Sequence, residues 1–136
     1  MGKLQIMKLD LSQKNVLITG AATGMGRSSA LELAQHGANI SIVDINQDGL
    51  NEVSEKLKSM NANFTSDLMD VTSINEVEDK IEKIEQWFEG GINCLIHFAG
   101  VLEGSVVDID ELTPETWNRI ININLNGTYN VTRAVA

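Results

Sequence analysis

Three glycines, Gly20, Gly24 and Gly26, follow a short apolar segment and precede a segment with helical periodicity. In such a strand-to-helix turn, the first glycine permits a tight turn and the second lets backbone N–H groups approach a phosphate. The third allows the helix to pack closely on the sheet. The start of the helix offers unpaired N–H donors and a positive dipole end to an anion. The spacing predicts a phosphate site, and a turn that binds nothing is the alternative interpretation.

A carboxylate follows where a ribose could be recognised. Asp44 ends the second apolar, β-rich segment, 24 residues after Gly20. A carboxylate there can accept hydrogen bonds from both ribose hydroxyls of an adenosine, and it repels a 2′-phosphate. The alternative is a surface aspartate at a strand end. Beside the glycine turn, Asp44 favours a dinucleotide without a 2′-phosphate.

Two other classes of protein use a glycine-rich first turn. A P-loop requires Lys followed by Ser or Thr after the last glycine, and Arg27 and Ser28 stand there instead. A methyltransferase also has a glycine-rich first loop and an acidic residue at the end of its second strand. The spacing Thr-Gly-x-x-x-Gly-x-Gly fits a methyltransferase less well.

Alternating elements position these residues. Apolar, β-rich segments predict strands at 16–19, 40–44, 63–67 and 92–98. Helical spacing predicts helices at 25–36 and 47–59, a third from Ser73 to the Gly90-Gly91 pair, and a last one from Thr113 to the end of the chain. Ser73 with Glu76 forms an expected capping box, and Thr113 with Pro114 an expected N-cap and first helical residue.

The order βαβαβαβα predicts an α/β fold with a doubly wound, Rossmann-type parallel sheet. Its four strands, in the order 3-2-1-4 with flanking helices, make residues 1–136 the dinucleotide-binding part of a domain. In the fourth strand we expect Cys94 to be a buried thiol.

Composition limits the partners. The 136 residues carry a formal net charge of −9, which argues against nucleic acid and anionic membranes because both attract basic surfaces. Neither a membrane span nor a signal peptide is visible, and a single cysteine excludes a cysteine-based metal cluster. We therefore expect a cytoplasmic protein that binds no metal.

The motifs together resemble the short-chain dehydrogenase/reductase family, and the similarity covers essentially the whole chain in register. They are Thr19-Gly20-x-x-x-Gly24-x-Gly26, Asp44, Asp70-Val71, Ala99-Gly100 and Asn124, with 9–20 similar to the usual opening of the family. The resemblance implies NAD as cofactor, with Asp70 bonding the adenine amino group and Val71 beside the ring. The cofactor-binding residues it implies are Gly20, Thr23, Gly24, Met25, Gly26, Asp44, Ile45, Asp70, Val71, Ala99 and Gly100. NADP-preferring relatives tend to carry a basic residue at the position of Thr23.

The chain departs from the family motif Asn-Asn-Ala-Gly, because His97 and Phe98 occupy its first two positions. This departure changes the side-chain bonds that brace the central strand in the family. We expect His97 to replace one of them as a structural residue.

Asn124 is a polar residue on an otherwise apolar helix face, which also carries Trp117, Ile120, Ile121 and Val131. If that face is buried, the amide must be hydrogen-bonded, either to local backbone or to water. The resemblance implies a catalytic role, in which Asn124 holds a water in a proton relay and helps to kink the helix.

The chemistry of the family requires a Ser, and a Tyr with a Lys four residues later. The only tyrosine here is Tyr129, Arg133 stands four residues on, and no Lys follows Lys83. The chain is therefore predicted to be incomplete relative to the family and inactive alone. It would be the NAD-binding part of an enzyme that moves hydride between NAD(H) and an alcohol or ketone, a homo-oligomer when complete. The alternative is a stand-alone, non-catalytic dinucleotide-binding module, a sensor or pseudoenzyme.

Overall fold

Strands and helices alternate throughout residues 9–102 and 107–136, which are the residues that the computed structural model describes. The strands are β1 (Asn15–Thr19), β2 (Asn39–Asp44), β3 (Phe64–Leu68) and β4 (Cys94–His97). The helices are α1 (Gly24–Gln35), α2 (Gln47–Ser59), α3 (Ile74–Trp87), α4 (Pro114–Ile121) and α5 (Gly127–Val135). A π-helical segment, Asn122–Asn126, joins α4 to α5.

All strand pairs are parallel, and the strand order is β3-β2-β1-β4. The predicted α/β fold and strand order are therefore confirmed. In register, Thr19 of β1 lies beside Val43 of β2 and His97 of β4. Since parallel strands end at the same edge, the turns that follow β1, β2, β3 and β4 form one surface.

Side chains of the sheet alternate between two buried layers, as the period of a strand requires. Ile18, Ile40 and Ile42 pack with α1 and α2, whereas Leu17 and Val43 pack with α3 and α5. Each fully buried side chain of this size stabilises the fold by about 1.5–3 kcal/mol. No helix among the described residues is both long enough and apolar enough to span a bilayer.

An asparagine is the first residue of β1 and β2 and immediately precedes β3 and β4, and we call Asn15, Asn39, Asn63 and Asn93 the asparagine row. Asn63 Nδ2 donates to Asn39 Oδ1, and Asn39 Nδ2 donates to Asn15 Oδ1, both at 2.8 Å. The backbone N–H of Asn15 donates to Asn93 Oδ1 at 2.9 Å. The row links the starts of all four strands at the edge opposite the cleft described below.

Two local predictions about single side chains were wrong. Ser73 makes no side-chain cap. Its N–H donates to the Asp70 carbonyl and not to Glu76, which accepts instead from the Asp70 N–H at 3.0 Å. Cys94 is exposed, because no described strand covers the outer side of β4.

The last helix, predicted as one continuous α-helix, is interrupted by the π segment. Its i→i+5 bonding adds a residue to the turn and changes which residues share a face. Val131 is fully buried, while Trp117 is 50% exposed and Asn124 is also exposed. The predicted single buried face is therefore wrong, whereas Thr113 caps α4 as predicted, accepting from the Thr116 N–H at 3.2 Å.

Candidate functional site

The glycine-rich turn after β1 is packed too closely for side chains at two of its positions. Gly20 has a φ of +64°, and a Cβ there would lie 2.7 Å from the Ala99 nitrogen. A Cβ on Gly26 would overlap the Gly20 carbonyl oxygen. These contacts bring the start of α1 and the turn after β4 against the turn at Gly20.

The first turn of α1 has open donors. Thr23 is the N-cap residue, but its side chain makes no capping hydrogen bond, and the first turn contains no acidic residue. Backbone N–H groups at such a helix start favour an anion. Met25 is 71% exposed beside them. This turn therefore suits a phosphate group, as the sequence predicts.

Asp44 is held by backbone N–H groups at the end of β2. Its Oδ2 accepts from the Ala22 N–H and its Oδ1 from the Asn46 N–H, each at 3.0 Å. A carboxylate oxygen has lone pairs for more than one donor, so both oxygens can still accept from a diol. The hydrogen bond to Ala22 ties this carboxylate to the glycine-rich turn.

The turn after β3 carries Asp70 and Val71. The Thr72 N–H and hydroxyl both donate to Asp70 Oδ1, at 2.9 and 2.7 Å, and neither bond uses Oδ2. Buried Asn130 of α5 donates to the Val71 carbonyl at 2.9 Å. Asn130 was not predicted as a site residue, because a single polar residue on a helix gives no signal without its partner.

Asn124 holds the turn after β4. Its Oδ1 accepts from the Val101 N–H at 2.8 Å, and its Nδ2 donates to the Val101 carbonyl at 2.9 Å. The side-chain amide thus bonds to local backbone, which was one of the two alternatives for it. A Cβ on Gly100 would lie 3.2 Å from Asn124 Oδ1, so this turn and the π segment are in close contact.

His97 lies at the end of β4 with its Nδ1 2.7 Å from the Thr19 hydroxyl oxygen. Burial lowers the pKa of His97 below its ordinary value of 6.5, so the ring is neutral at pH 7. Its Nε2 is buried without a hydrogen-bond partner among the described residues. His97, which was predicted to be a structural residue, therefore bonds to Thr19 of the neighbouring strand β1.

These turns enclose a cleft of about 440 Å³ at the carboxyl edge of the sheet. The predicted residues that line it are Gly20, Thr23, Asp44, Ile45, Asp70, Val71, Ala99 and Gly100. Gly24, Met25, Gly26 and Asn124 are not in its lining, although Gly24 and Gly26 shape the turn beside it. Across the described ranges, no three His, Cys, Asp or Glu side chains are grouped to hold a metal ion.

The last helix also lines the cleft, which the sequence reasoning missed. Arg119, Asn122 and Ile123 reach it from α4 and the π segment. Their i, i+3, i+4 spacing marks one helical face and could have identified them. The cleft therefore contains a cationic side chain as well as the carboxylates of Asp44 and Asp70.

The residues of this cleft fit an adenine dinucleotide. Its concave shape, the open donors of α1 and the oriented carboxylate of Asp44 match phosphate and ribose groups respectively. The position fits as well, because ligands of open α/β sheets bind outside the carboxyl ends of the strands.

Comparison with known proteins gives the same assignment. The family model described as short chain dehydrogenase matches residues 14–136. A 3-oxoacyl-(acyl-carrier-protein) reductase of Thermotoga maritima is 31% identical over 92% of this chain and 50% of its own length. A 2,3-dihydro-2,3-dihydroxybenzoate dehydrogenase of Bacillus subtilis is 35% identical over 90% of this chain and 46% of its own length.

A solved structure described as an actinorhodin polyketide ketoreductase variant with NADPH has a TM-score of 0.84. It is 26% identical, and the match covers 91% of this chain and 47% of that protein. The chain thus spans about half the length of the curated relatives it matches.

Proposed function

The chain belongs to the short-chain dehydrogenase family of oxidoreductases, and from this premise we propose that it forms the NAD-binding part of such an enzyme. The complete enzyme would transfer hydride between NAD(H) and the carbon of an alcohol or ketone. When bound, the nicotinamide supplies the hydride acceptor or donor. The residues of this chain hold and orient the dinucleotide.

The preference for NAD over NADP rests on Asp44. The Ala22 and Asn46 N–H groups orient its carboxylate at the lip of the cleft, where it would accept from ribose hydroxyls. A 2′-phosphate would place further negative charge beside it. Thr23 offers no counter-charge, and Arg27 of α1 is ion-paired with Glu52 of α2 at 3.2 Å.

The lining of the cleft suggests which residues would contact the other parts of the dinucleotide. The glycine-rich turn and the start of α1 would bind the pyrophosphate, and Asp70 Oδ2 would accept from the adenine amino group beside Val71. The Ala99–Gly100 backbone would line the nicotinamide side. Asn124 would fix that backbone through Val101.

Titration of NADH and NADPH against the 136-residue chain, followed by nucleotide fluorescence, tests the preference. We expect NADH to bind at least about tenfold more tightly, a difference of about 1.4 kcal/mol. Asp44→Asn should reduce that ratio by about tenfold, because it removes the negative charge and keeps the side-chain size. Asp79→Asn, at an exposed position on α3, makes the same charge change away from the cleft and should leave the ratio unaltered. Tighter binding of NADPH by the unsubstituted chain would contradict the proposal.

For the complete enzyme we propose an alcohol or ketone substrate, a homo-oligomeric assembly and a cytoplasmic location. A stand-alone, non-catalytic dinucleotide-binding module is the second candidate, and both candidates predict no turnover by this chain alone. Tyr129 is 60% exposed, and Arg133, four residues later, is ion-paired with Glu78 at 2.7 Å. This pair is therefore not arranged as a catalytic Tyr–Lys dyad.

A further inference from the structure

The ends of β1 and β4 meet through three groups beside the cleft. Thr19 is fully buried, and its hydroxyl oxygen lies 2.7 Å from His97 Nδ1 and 3.2 Å from the Ala99 nitrogen. The Ala99 N–H can only donate, so it donates to the Thr19 oxygen. A single hydroxyl thus links the imidazole to the backbone that lines the cleft.

Hydrogen-bond balance assigns the protons. The Thr19 hydroxyl needs an acceptor for its own proton, and Nδ1 of a neutral His97 is the acceptor within reach. This choice puts the ring proton on Nε2 and leaves one buried group, the Nε2–H, without a partner among the described residues. The opposite tautomer would leave two, the Thr19 proton and the Nε2 lone pair. The first arrangement is favoured because each unpaired buried group is costly.

We propose that His97 is a positioning residue for the cofactor: as an acceptor at Nδ1, it orients the Thr19 hydroxyl, which fixes the Ala99–Gly100 backbone against the glycine-rich turn. The inference rests on the proposed function, since Ala99 and Gly100 line the cleft assigned to the dinucleotide. The close contact between Gly20 and Ala99 makes the position of Ala99 critical, because neither backbone can move toward the other.

Two substitutions of His97 distinguish the effect of its hydrogen-bond acceptor from the effect of its ring size. Oδ1 of an asparagine is attached to Cγ, as Nδ1 of histidine is, so His97→Asn keeps an acceptor facing Thr19. His97→Phe keeps a ring of similar size and removes the acceptor. We expect NADH to bind about fivefold to tenfold more weakly to the Phe variant and within about twofold of the wild type to the Asn variant. Equal affinities for wild type and Phe variant, or equal weakening in both variants, would overturn the proposal.

A double substitution tests whether His97 acts through the Thr19 hydroxyl. If His97 acts through that hydroxyl, His97→Phe should have no further effect on NADH affinity in a Thr19→Val chain, which already lacks it. Additive losses would instead show that the two residues act independently, and would contradict the inference.

Amide hydrogen exchange without cofactor distinguishes this inference from the proposed function. The Ala99 N–H should exchange faster in His97→Phe than in the wild type or His97→Asn, because its acceptor is no longer held in place. Equal exchange rates of the Ala99 N–H in all three chains would refute the role of His97 in holding the Ala99 backbone, even if NADH binds. Failure of the wild type to bind either nucleotide would refute the proposed function and the role of His97 in affinity. The exchange rates would then still decide whether His97 positions Ala99.

Discussion

At the scale of residues, the polar side chains of the cleft bind backbone more than they bind one another. Asp44 accepts from the Ala22 N–H, Asn124 bonds to both the backbone N–H and the carbonyl of Val101, and Thr19 accepts from the Ala99 N–H. Each bond connects one turn of the cleft to a neighbouring element. Such bonds fix the turns before a ligand arrives, which lowers the ordering cost of binding.

The lowered pKa of His97 makes stability depend on pH. Below pH 6.5 the unfolded chain binds a proton at His97 that the folded chain excludes, because burial disfavours the charged ring. The free energy of unfolding should therefore fall as the pH drops below 6.5, and this loss should be absent above it. Urea unfolding from about pH 5 to pH 8 measures the slope.

His97→Asn should flatten that slope, since the asparagine does not titrate. His36→Gln removes the only other histidine, at the C-cap of α1, and serves as the matched control. A slope unchanged by His97→Asn would be inconsistent with the stated origin of the pH dependence.

The glycines of the first turn differ in what a methyl group would meet. Gly26→Ala should lower the free energy of unfolding by about 3 kcal/mol, because the clash is with backbone atoms of Gly20 and Ala21 that cannot rotate away. A Cβ on Gly24 would have no other atom within 4 Å. Gly24→Ala should therefore lower the free energy of unfolding by only about 1–2 kcal/mol, because of its φ of +53°. Urea denaturation compares the two, and a larger loss for Gly24→Ala would contradict this order.

At the scale of elements, periodicity and turn residues were enough to predict the alternation and the strand order. Helix α2 has the predicted bounds of Gln47–Ser59, since its apolar spacing and its cap are both local. The resemblance implied a kink at Asn124, where the π segment lies, but periodicity alone could not predict it, because the Asn124 side chain bonds outside its own helix to Val101. The exposure of Cys94 was missed for a similar reason, as local sequence does not say which strand lies at an edge.

The asparagine row should matter for sheet stability. Asn39 both donates and accepts in it, so Asn39→Asp removes a donor and sets a carboxylate oxygen against Asn15 Oδ1. We expect a loss of about 1–3 kcal/mol in the free energy of unfolding. Asn51→Asp, on the exposed surface of α2, keeps its role as acceptor from Gln47 and should have little effect. Equal unfolding free energies for wild type and Asn39→Asp would show that the row does not stabilise the sheet.

At the scale of the whole molecule, one edge of the sheet brings most parts of the cleft together. The turns after all four strands line it, together with the helix after β4. Most of this arrangement could be predicted, because parallel strands place their carboxyl ends together. The contribution of Arg119 and Asn122 could be predicted only in part. Their spacing places them on one helical face, but which face reaches the cleft depends on how α4 packs across the sheet.

Binding and turnover should separate in this chain. We expect the 136-residue chain to bind NADH and to show no dehydrogenase activity, because Arg133 is ion-paired with Glu78 and does not serve Tyr129 as a catalytic lysine would. Absorbance of NADH at neutral pH, with a panel of primary and secondary alcohols and ketones, measures turnover. Activity that survives Tyr129→Phe would place the chemistry elsewhere, and any measurable activity would refute the expectation.

The asparagine row also gives the sheet a direction across its strands. Asn39 donates with Nδ2 to Asn15 and accepts with Oδ1 from Asn63, so reversing its amide would face oxygen with oxygen on one side and NH₂ with NH₂ on the other. The orientations are therefore one shared choice for the run from Asn63 to Asn15. Reversing the amide of Asn63 at β3 would therefore require Asn39 at β2 and then Asn15 at β1 to reverse as well.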